Sequence, residues 1–211
     1  NGAGKTTTMH MLLGLTTPTS GRVCVLDIDI NGKKRAEALQ RVNFSSSYVS
    51  LPYSLTVVEN LTVFSRLYRI KNRKEKIAEL MDIFGLNGIR NEPTRRLSSG
   101  QITRVSLAKS LLNDPEVLFL DEPTASLDPD MADRTRTLLR KIGKERGMSM
   151  LYTSHNMAEM EEICDRIIFL NHGKIIAEGR SEDVVRSLGG TSLEDAFLKV
   201  ARRERGENVG G

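Results

Sequence analysis

The stretch VLFLDEPTASLD, residues 117–128, decides how this chain folds. Its first four residues, Val117 to Leu120, form a short apolar run bounded by charge on both sides. A run of that length suits a strand buried on both faces of a parallel sheet. Asp121 and Glu122 then stand at the strand's carboxyl end. In open α/β sheets, ligands bind outside the carboxyl ends of the strands. Asp121 is therefore placed to hold Mg²⁺ through water. Glu122 is placed to take a proton from, or polarise, a water attacking a phosphate.

The flanking segments alternate in the manner of an α/β domain. Thr7 to Leu15 is apolar and helical in texture, and Thr17-Pro18-Thr19 stops it. Gly21 to Ile28 and Val42 to Ser45 read as strands. A helix is expected from about Asp130 to Glu145, then a strand from Met148 to Tyr152. Ile167 to Leu170 and Lys174 to Ala177 flank Asn171-His172-Gly173, a hairpin turn. Ser181 and Ser192 are candidate N-caps of two closing helices. Residues from Arg202 to Gly211 read as a frayed end. Between Leu55 and Leu112 the texture is helical instead. Ile77, Leu80, Met81 and Phe84 recur at helical spacing, Gly85 ends that helix, and Asp114-Pro115 closes the block. The pattern predicts an α/β fold with a mainly parallel sheet and an inserted α-helical subdomain.

Composition bounds the reading. With 211 residues, the chain can hold one sizeable core or a domain with a subdomain. The charged share of 27% and hydrophobic share of 39% are those of an ordinary globular protein. A net charge of +4, concentrated in patches such as Lys71 to Lys76, reads as a solvated face, so no nucleic-acid partner is expected. The two cysteines, Cys24 and Cys164, lack metal-ligand spacing and read as buried thiols of a reducing compartment. No apolar run approaches the ~18 residues of a membrane-spanning helix.

The opening residues, NGAGKTT, supply the phosphate chemistry that the acidic strand end calls for. Gly4-Lys5-Thr6 gives the last three positions of the pattern G-x-x-x-x-G-K-[ST], whose first glycine would fall three residues before Asn1. Gly2 and Gly4 let the backbone curl with its N–H groups inward. Lys5 reaches the β- and γ-phosphates, and the Thr6 hydroxyl serves Mg²⁺. The helix that begins here directs its partial positive end at the phosphates.

A third stretch narrows the class. Arg96-Leu97-Ser98-Ser99-Gly100-Gln101 precedes a helical segment, Ile102 to Leu112, shortly before the acidic strand. Small side chains and open N–H groups at a helix start make a second anion site. At this point the chain resembles the nucleotide-binding domain of ABC transporters. NGAGKTT looks like the end of Walker A, LSSGQ like the LSGGQ signature, and VLFLDEP like Walker B. Ala125-Ser126-Leu127-Asp128 resembles the D-loop, and Thr153-Ser154-His155 the switch-histidine loop.

The resemblance implies a P-loop NTPase (RecA-like) core over residues 1–47 and 113–190. It implies a helical signature subdomain over 48–112, and a C-terminal helix and tail over 191–211. ATP and Mg²⁺ are the implied ligands. Asn1, Gly2, Ala3, Gly4, Lys5, Thr6 and Thr7 would bind nucleotide, with Thr6 and Asp121 at the metal. Two such domains, identical or different, would face each other head to tail. Ser98, Ser99, Gly100 and Gln101 of one would meet the other's nucleotide, with Ser98 and Gly100 at its γ-phosphate. Glu122 would be the catalytic base, His155 would sense the γ-phosphate, and Asp128 would couple the two sites. The implied activity is ATP hydrolysis coupled to transport, on the cytoplasmic face of a membrane and peripheral to it. The helical subdomain around Tyr48 to Tyr68 would dock a permease subunit or domain.

Two positions depart from the family pattern. Aligning Leu55 to Leu61 with LTVxENL puts Ser47 where the family has a glutamine. Serine is shorter by ~2.5 Å of reach, so a direct metal contact from Ser47 is not expected and water would stand in. Ser99 replaces the first glycine of LSGGQ. The aromatic that stacks on adenine in this family has no counterpart among these residues. A soluble ABC ATPase of translation or DNA repair is the rival reading. Absence of a heptad run between phosphate loop and signature weighs against the repair branch. A degenerate, non-hydrolysing domain is disfavoured because Lys5, Asp121, Glu122 and His155 are all present.

Overall fold

The computed structural model describes residues 2–46 and 51–204. Asn1, Ser47 and Tyr48 therefore lie outside the described residues. The chain forms two compact units, one of residues 10–153 and one joining the first nine residues to those from Ser154 onward.

The larger unit is built on a three-stranded parallel sheet of β3 (Val42–Ser46), β4 (Val117–Asp121) and β5 (Ser149–Thr153), with β4 in the centre. Leu118, Phe119 and Leu120 are all buried, as the apolar run predicts for a strand covered on both faces. Pairing runs in register from Val42↔Val117↔Ser149 to Ser46↔Asp121↔Thr153. The carboxyl ends of the three strands are therefore level. Leu13, Val25, Ile30, Ala38, Val42 and Phe119 form a core that includes α2 (Arg35–Gln40).

The expected strand over Gly21 to Ile28 is instead a small hairpin, β1 (Cys24–Val25) with β2 (Ile28–Asp29). Its two-residue turn holds Leu26 and Asp27 at φ 53° and 61°. That is the left-handed pair that matches strand twist in a tight hairpin, reached here without glycine because Leu26 packs on the core. Strand alternation turns Val25 inward and Cys24 outward, so Cys24 is exposed rather than buried.

Between β3 and β4 the chain runs through α3 (Val57–Leu67), α4 (Arg73–Ile83) and α5 (Ser99–Ser110), with two single 3₁₀ turns before α5. A reciprocal cap starts α3. Thr56 Oγ1 accepts from Glu59 N and Glu59 Oε2 accepts from Thr56 N. Hydrogen bonds from the Thr56 N–H and hydroxyl hold the Glu59 carboxyl below its ordinary pKa. Gly85 ends α4 as predicted, with Leu86 N donating to Met81 O and Gly85 N to Asp82 O. The return to the sheet is pinned by polar groups. Asn113 donates to the carbonyls of Gln40 and Val42, and Asn43 donates to Asn113. Asp114 accepts from Lys76 and Arg146. Lys76 is thus a paired residue rather than part of a solvated face. After β4, α6 (Pro129–Arg146) leads into β5.

Helix α1 (Lys5–Leu12) ends earlier than Leu15, because Gly14 N and Leu15 N fold back onto Met11 O and His10 O. The smaller unit holds α7 (Met157–Ile163), the hairpin β6 (Ile167–Asn171) and β7 (Lys174–Gly179), α8 (Ser181–Leu188) and α9 (Leu193–Glu204). Its core is Ile167, Phe169, Ala177, Val184 and Leu193. The predicted hairpin turn is present, with His172 and Gly173 at φ 44° and 73°. Ser192 caps α9, accepting from Asp195 N. Ser181 does not cap α8. Arg180 takes that position with extended backbone, so Ser181 lies inside the helix and its hydroxyl donates to Glu161. Arg202 lies on α9 rather than in a frayed end, and residues 205–211 lie outside the described residues. Among the described residues, no helix is long and apolar enough to cross a membrane.

Cys164 is half-buried, and burial together with the nearby Asp165 pushes its thiol up to about 11. At pH 8 about 10⁻³ of such a thiol is thiolate, the reactive form. Iodoacetamide at pH 8 should therefore modify exposed Cys24 at least ~10-fold faster than Cys164 in the native full-length protein. Peptide mass mapping reads the two rates, and equal rates would contradict the burial assigned to Cys164.

Candidate functional site

In the smaller unit the glycine-rich loop leads straight into α1. Gly2 and Gly4 have φ of 88° and 100°, a region that residues with a Cβ enter only under strain. Gly4 also sits against the hairpin turn, since a Cβ there would lie 3.3 Å from the Gly173 Cα. Gly173 N donates to Ala3 O at 2.9 Å, which fixes the loop from outside. Gly4 O accepts from both Thr8 N and Thr8 Oγ1 at 2.9 Å, which closes the first turn of α1. Lys5 is half-buried, while Thr6 and Thr7 are exposed at the helix start. Asn1 lies outside the described residues.

His155 belongs to the same unit and is exposed. Its neighbours in sequence fix the backbone around it. Asn156 caps α7, its Oδ1 accepting from Ala158 N and Glu159 N. Ser154 Oγ accepts from Asn156 N and donates to Glu159 Oε2 at 2.7 Å.

In the larger unit Asp121 ends β4 and is only 7% exposed. Thr153 Oγ1, level with it on β5, donates to Asp121 Oδ1 at 2.6 Å. The other carboxylate oxygen takes no partner among the described residues. A buried, ionised carboxylate is costly unless paired or coordinated, so this oxygen suits a hard cation such as Mg²⁺. Glu122 follows with φ 49°, a strained value for a residue with a side chain. Its N–H donates to Thr153 O at 3.1 Å and to Thr153 Oγ1 at 3.2 Å. Thr153 thus holds both acids, a role that the sequence did not flag.

The signature residues form the start of α5. Ser98 is its N-cap and Gln101 its third residue, joined by a reciprocal cap. Ser98 Oγ accepts from Gln101 N at 3.3 Å, and Gln101 Oε1 accepts from Ser98 N at 2.9 Å. Because Ser98 Oγ accepts here, its own hydrogen stays available for an anion. The N–H groups of Ser99 and Gly100 take no partner among the described residues and head the helix. Open N–H groups at a helix start are the arrangement that favours an anion. Asp128 caps α6, accepting from Met131 N at 3.1 Å, with Pro129 as first helical residue. Ser47 lies outside the described residues.

The structure gathers the phosphate loop and His155 into one unit. It gathers Asp121, Glu122, the signature and Asp128 into the other. A family model described as ABC transporter matches residues 1–125, from the phosphate loop through the acidic strand end. The chain belongs to the ABC transporter family. This ABC protein is 40% identical over 207 residues to the probable multidrug ABC transporter ATP-binding protein YbhF of Escherichia coli K12, covering 95% of the chain and 35% of that relative. It is 36% identical over 199 residues to the Nod factor export ATP-binding protein I of Neorhizobium galegae, covering 93% of the chain and 57% of that relative. The ABC chain thus spans only about a third to a little over half of these relatives. Among solved structures it resembles a dimeric, post-hydrolysis ATP-binding cassette bound to ADP and Pi, with a TM-score of 0.74 at 26% identity. That match covers 84% of the chain and 81% of the solved one.

Thr153→Val removes a hydroxyl that bonds a buried carboxylate and a backbone N–H. The full-length protein should lose about 1–3 kcal/mol of stability in urea unfolding. A loss below ~0.3 kcal/mol would contradict the bonding described for Asp121.

Proposed function

We propose that this chain is the ATP-binding and ATP-hydrolysing part of an ABC export system, supplying energy for transport through a membrane-spanning permease. The single observation that carries this reading is that one unit holds Asp121, buried with one open oxygen, the strained Glu122 after it, and a signature helix whose first N–H groups are open. The names of the relatives, a multidrug transporter in one case and Nod factor export in the other, support transport over a soluble role in translation or DNA repair.

In this reading Gly2, Ala3, Gly4, Lys5, Thr6 and Thr7, with Asn1, hold the triphosphate. Lys5 supplies a point charge at the β- and γ-phosphates. Thr6 and Asp121 would hold Mg²⁺, with Ser47 too short for a direct contact, and the ion would supply neutralising charge at the phosphates. Glu122 takes the proton of the attacking water, and its strained backbone holds the carboxylate in one direction. His155 reads the γ-phosphate. Ser98, with its free hydroxyl hydrogen, and Ser99, Gly100 and Gln101 face the nucleotide of a second ATP-binding domain. Asp128 couples the two sites. The core then comprises residues 1–47 and 113–190, the helical signature subdomain 48–112, and the closing helix and tail 191–211. The site works at the cytoplasmic face, held there by the permease.

Glu122→Gln keeps shape and hydrogen bonding but removes the base. Steady-state ATP hydrolysis by the full-length protein should fall ~10²–10⁴-fold, with ATP still bound. Undiminished hydrolysis would defeat the assignment of Glu122.

A further inference from the structure

Within the larger unit, the start of the signature helix is fastened to the loop that ends in Asp128. Thr103 is one turn into α5 and 6% exposed, so its hydroxyl needs partners inside the protein. It lies 3.0 Å from Ser99 O and 2.7 Å from Ser126 Oγ. A hydroxyl has one hydrogen to give. Thr103 spends its hydrogen on the Ser99 carbonyl, so the Ser126 hydroxyl must donate to Thr103. Ser99 Oγ, 3.5 Å from Ser126 O, completes the circuit as a long contact. Beside it, a Cβ on Gly100 would stand 3.4 Å from Leu127 Cδ2, so the Leu127 side chain covers the flank that Gly100 leaves open. Two residues after Ser126, Asp128 locks the far end of the loop by capping α6.

We propose that Thr103 and Ser126 are positioning residues, a hydroxyl clasp that makes the signature turn and the loop to Asp128 move as one body. Each acts through the backbone segment that carries it. This rests on the ATPase reading above, in which Ser98 and Gly100 face a second domain's nucleotide and Asp128 couples the two sites. Both backbone segments must then move together, because a shift of the loop pulls Ser99 and the open N–H groups with it. The clasp also explains the serine at position 99. Its hydroxyl adds a third link that glycine lacks.

The test uses full-length protein carrying Thr103→Val, Ser126→Ala, both, or Thr103→Ser. Each of the first two should lower kcat for ATP hydrolysis roughly tenfold while KM for ATP moves less than about twofold, the signature of a contact felt only in turnover. The double variant should be no slower than the worse single one, because both remove the same link. Thr103→Ser should restore kcat to within about twofold of the parent. Hydrogen exchange without nucleotide should speed up at both 98–102 and 124–128 in Thr103→Val. Additive losses, an unchanged kcat, or exchange that rises in only one segment would each overturn the clasp. A parent protein that hydrolyses no ATP would sink the functional reading alone, and the exchange comparison would still decide whether the clasp exists.

Discussion

The level register of three parallel strands is the constraint on which the larger unit depends. Because Ser46, Asp121 and Thr153 pair across β3, β4 and β5, a row of polar side chains closes the carboxyl edge of the sheet. All three are under a tenth exposed. A one-residue slip of β4 would drive Asp121 to the opposite face and bury its charge among aliphatic side chains. The apolar run of β4 fixes the strand in place, and the Thr153 hydroxyl fixes the acid at its end. Glu122 inherits its position from both, since its N–H is tied to Thr153 while its backbone turns sharply away from the strand.

The helical insertion is held to this sheet in two ways. Near its return, polar groups dominate: Asn43, Asn113 and Asp114 reach β3, α4 and α6 in a chain of hydrogen bonds and ion pairs. The exposed ion pairs among them contribute little individually. Asn113 matters more, because it satisfies the carbonyls of Gln40 and Val42 as well as the Asn43 side chain. At the other end, the first turn of α5 rests on the loop after β4 through small side chains and hydroxyls. A junction of that kind is specific in direction, because each hydroxyl must meet its partner at hydrogen-bond distance.

Much of this was legible in the sequence, wherever one local rule decided the outcome. Val117 to Leu120 could be little else than a buried strand, and the acids behind it had to stand at its end. Gly85 ended α4 because the last turn needs a left-handed residue there. Gly2 and Gly4 were placed by residue type in a tight curl before a helix, and their φ values of 88° and 100° show that curl. Other features needed the third dimension. The turn at Leu26-Asp27 carries no glycine, so its stability comes from Leu26 packing on a core that the sequence does not display. Cys24 faces outward because a two-residue strand offers one inward position, taken by Val25. Ser181 lost its cap to Arg180 through a backbone angle. Thr103 and Ser126 are 23 residues apart, and nothing local marks them as a pair. Thr153 was visible beside Ser154-His155, but its bond to Asp121 follows only from the register.

The claim at the centre is that the acidic strand end and the signature helix serve a triphosphate shared by two ATP-binding domains. Sedimentation of the full-length Glu122→Gln protein, with MgATP and separately with MgADP, tests it most directly. A doubling of mass with MgATP and not with MgADP is the expected result. A protein that keeps its monomer mass under both would contradict a nucleotide held between two copies.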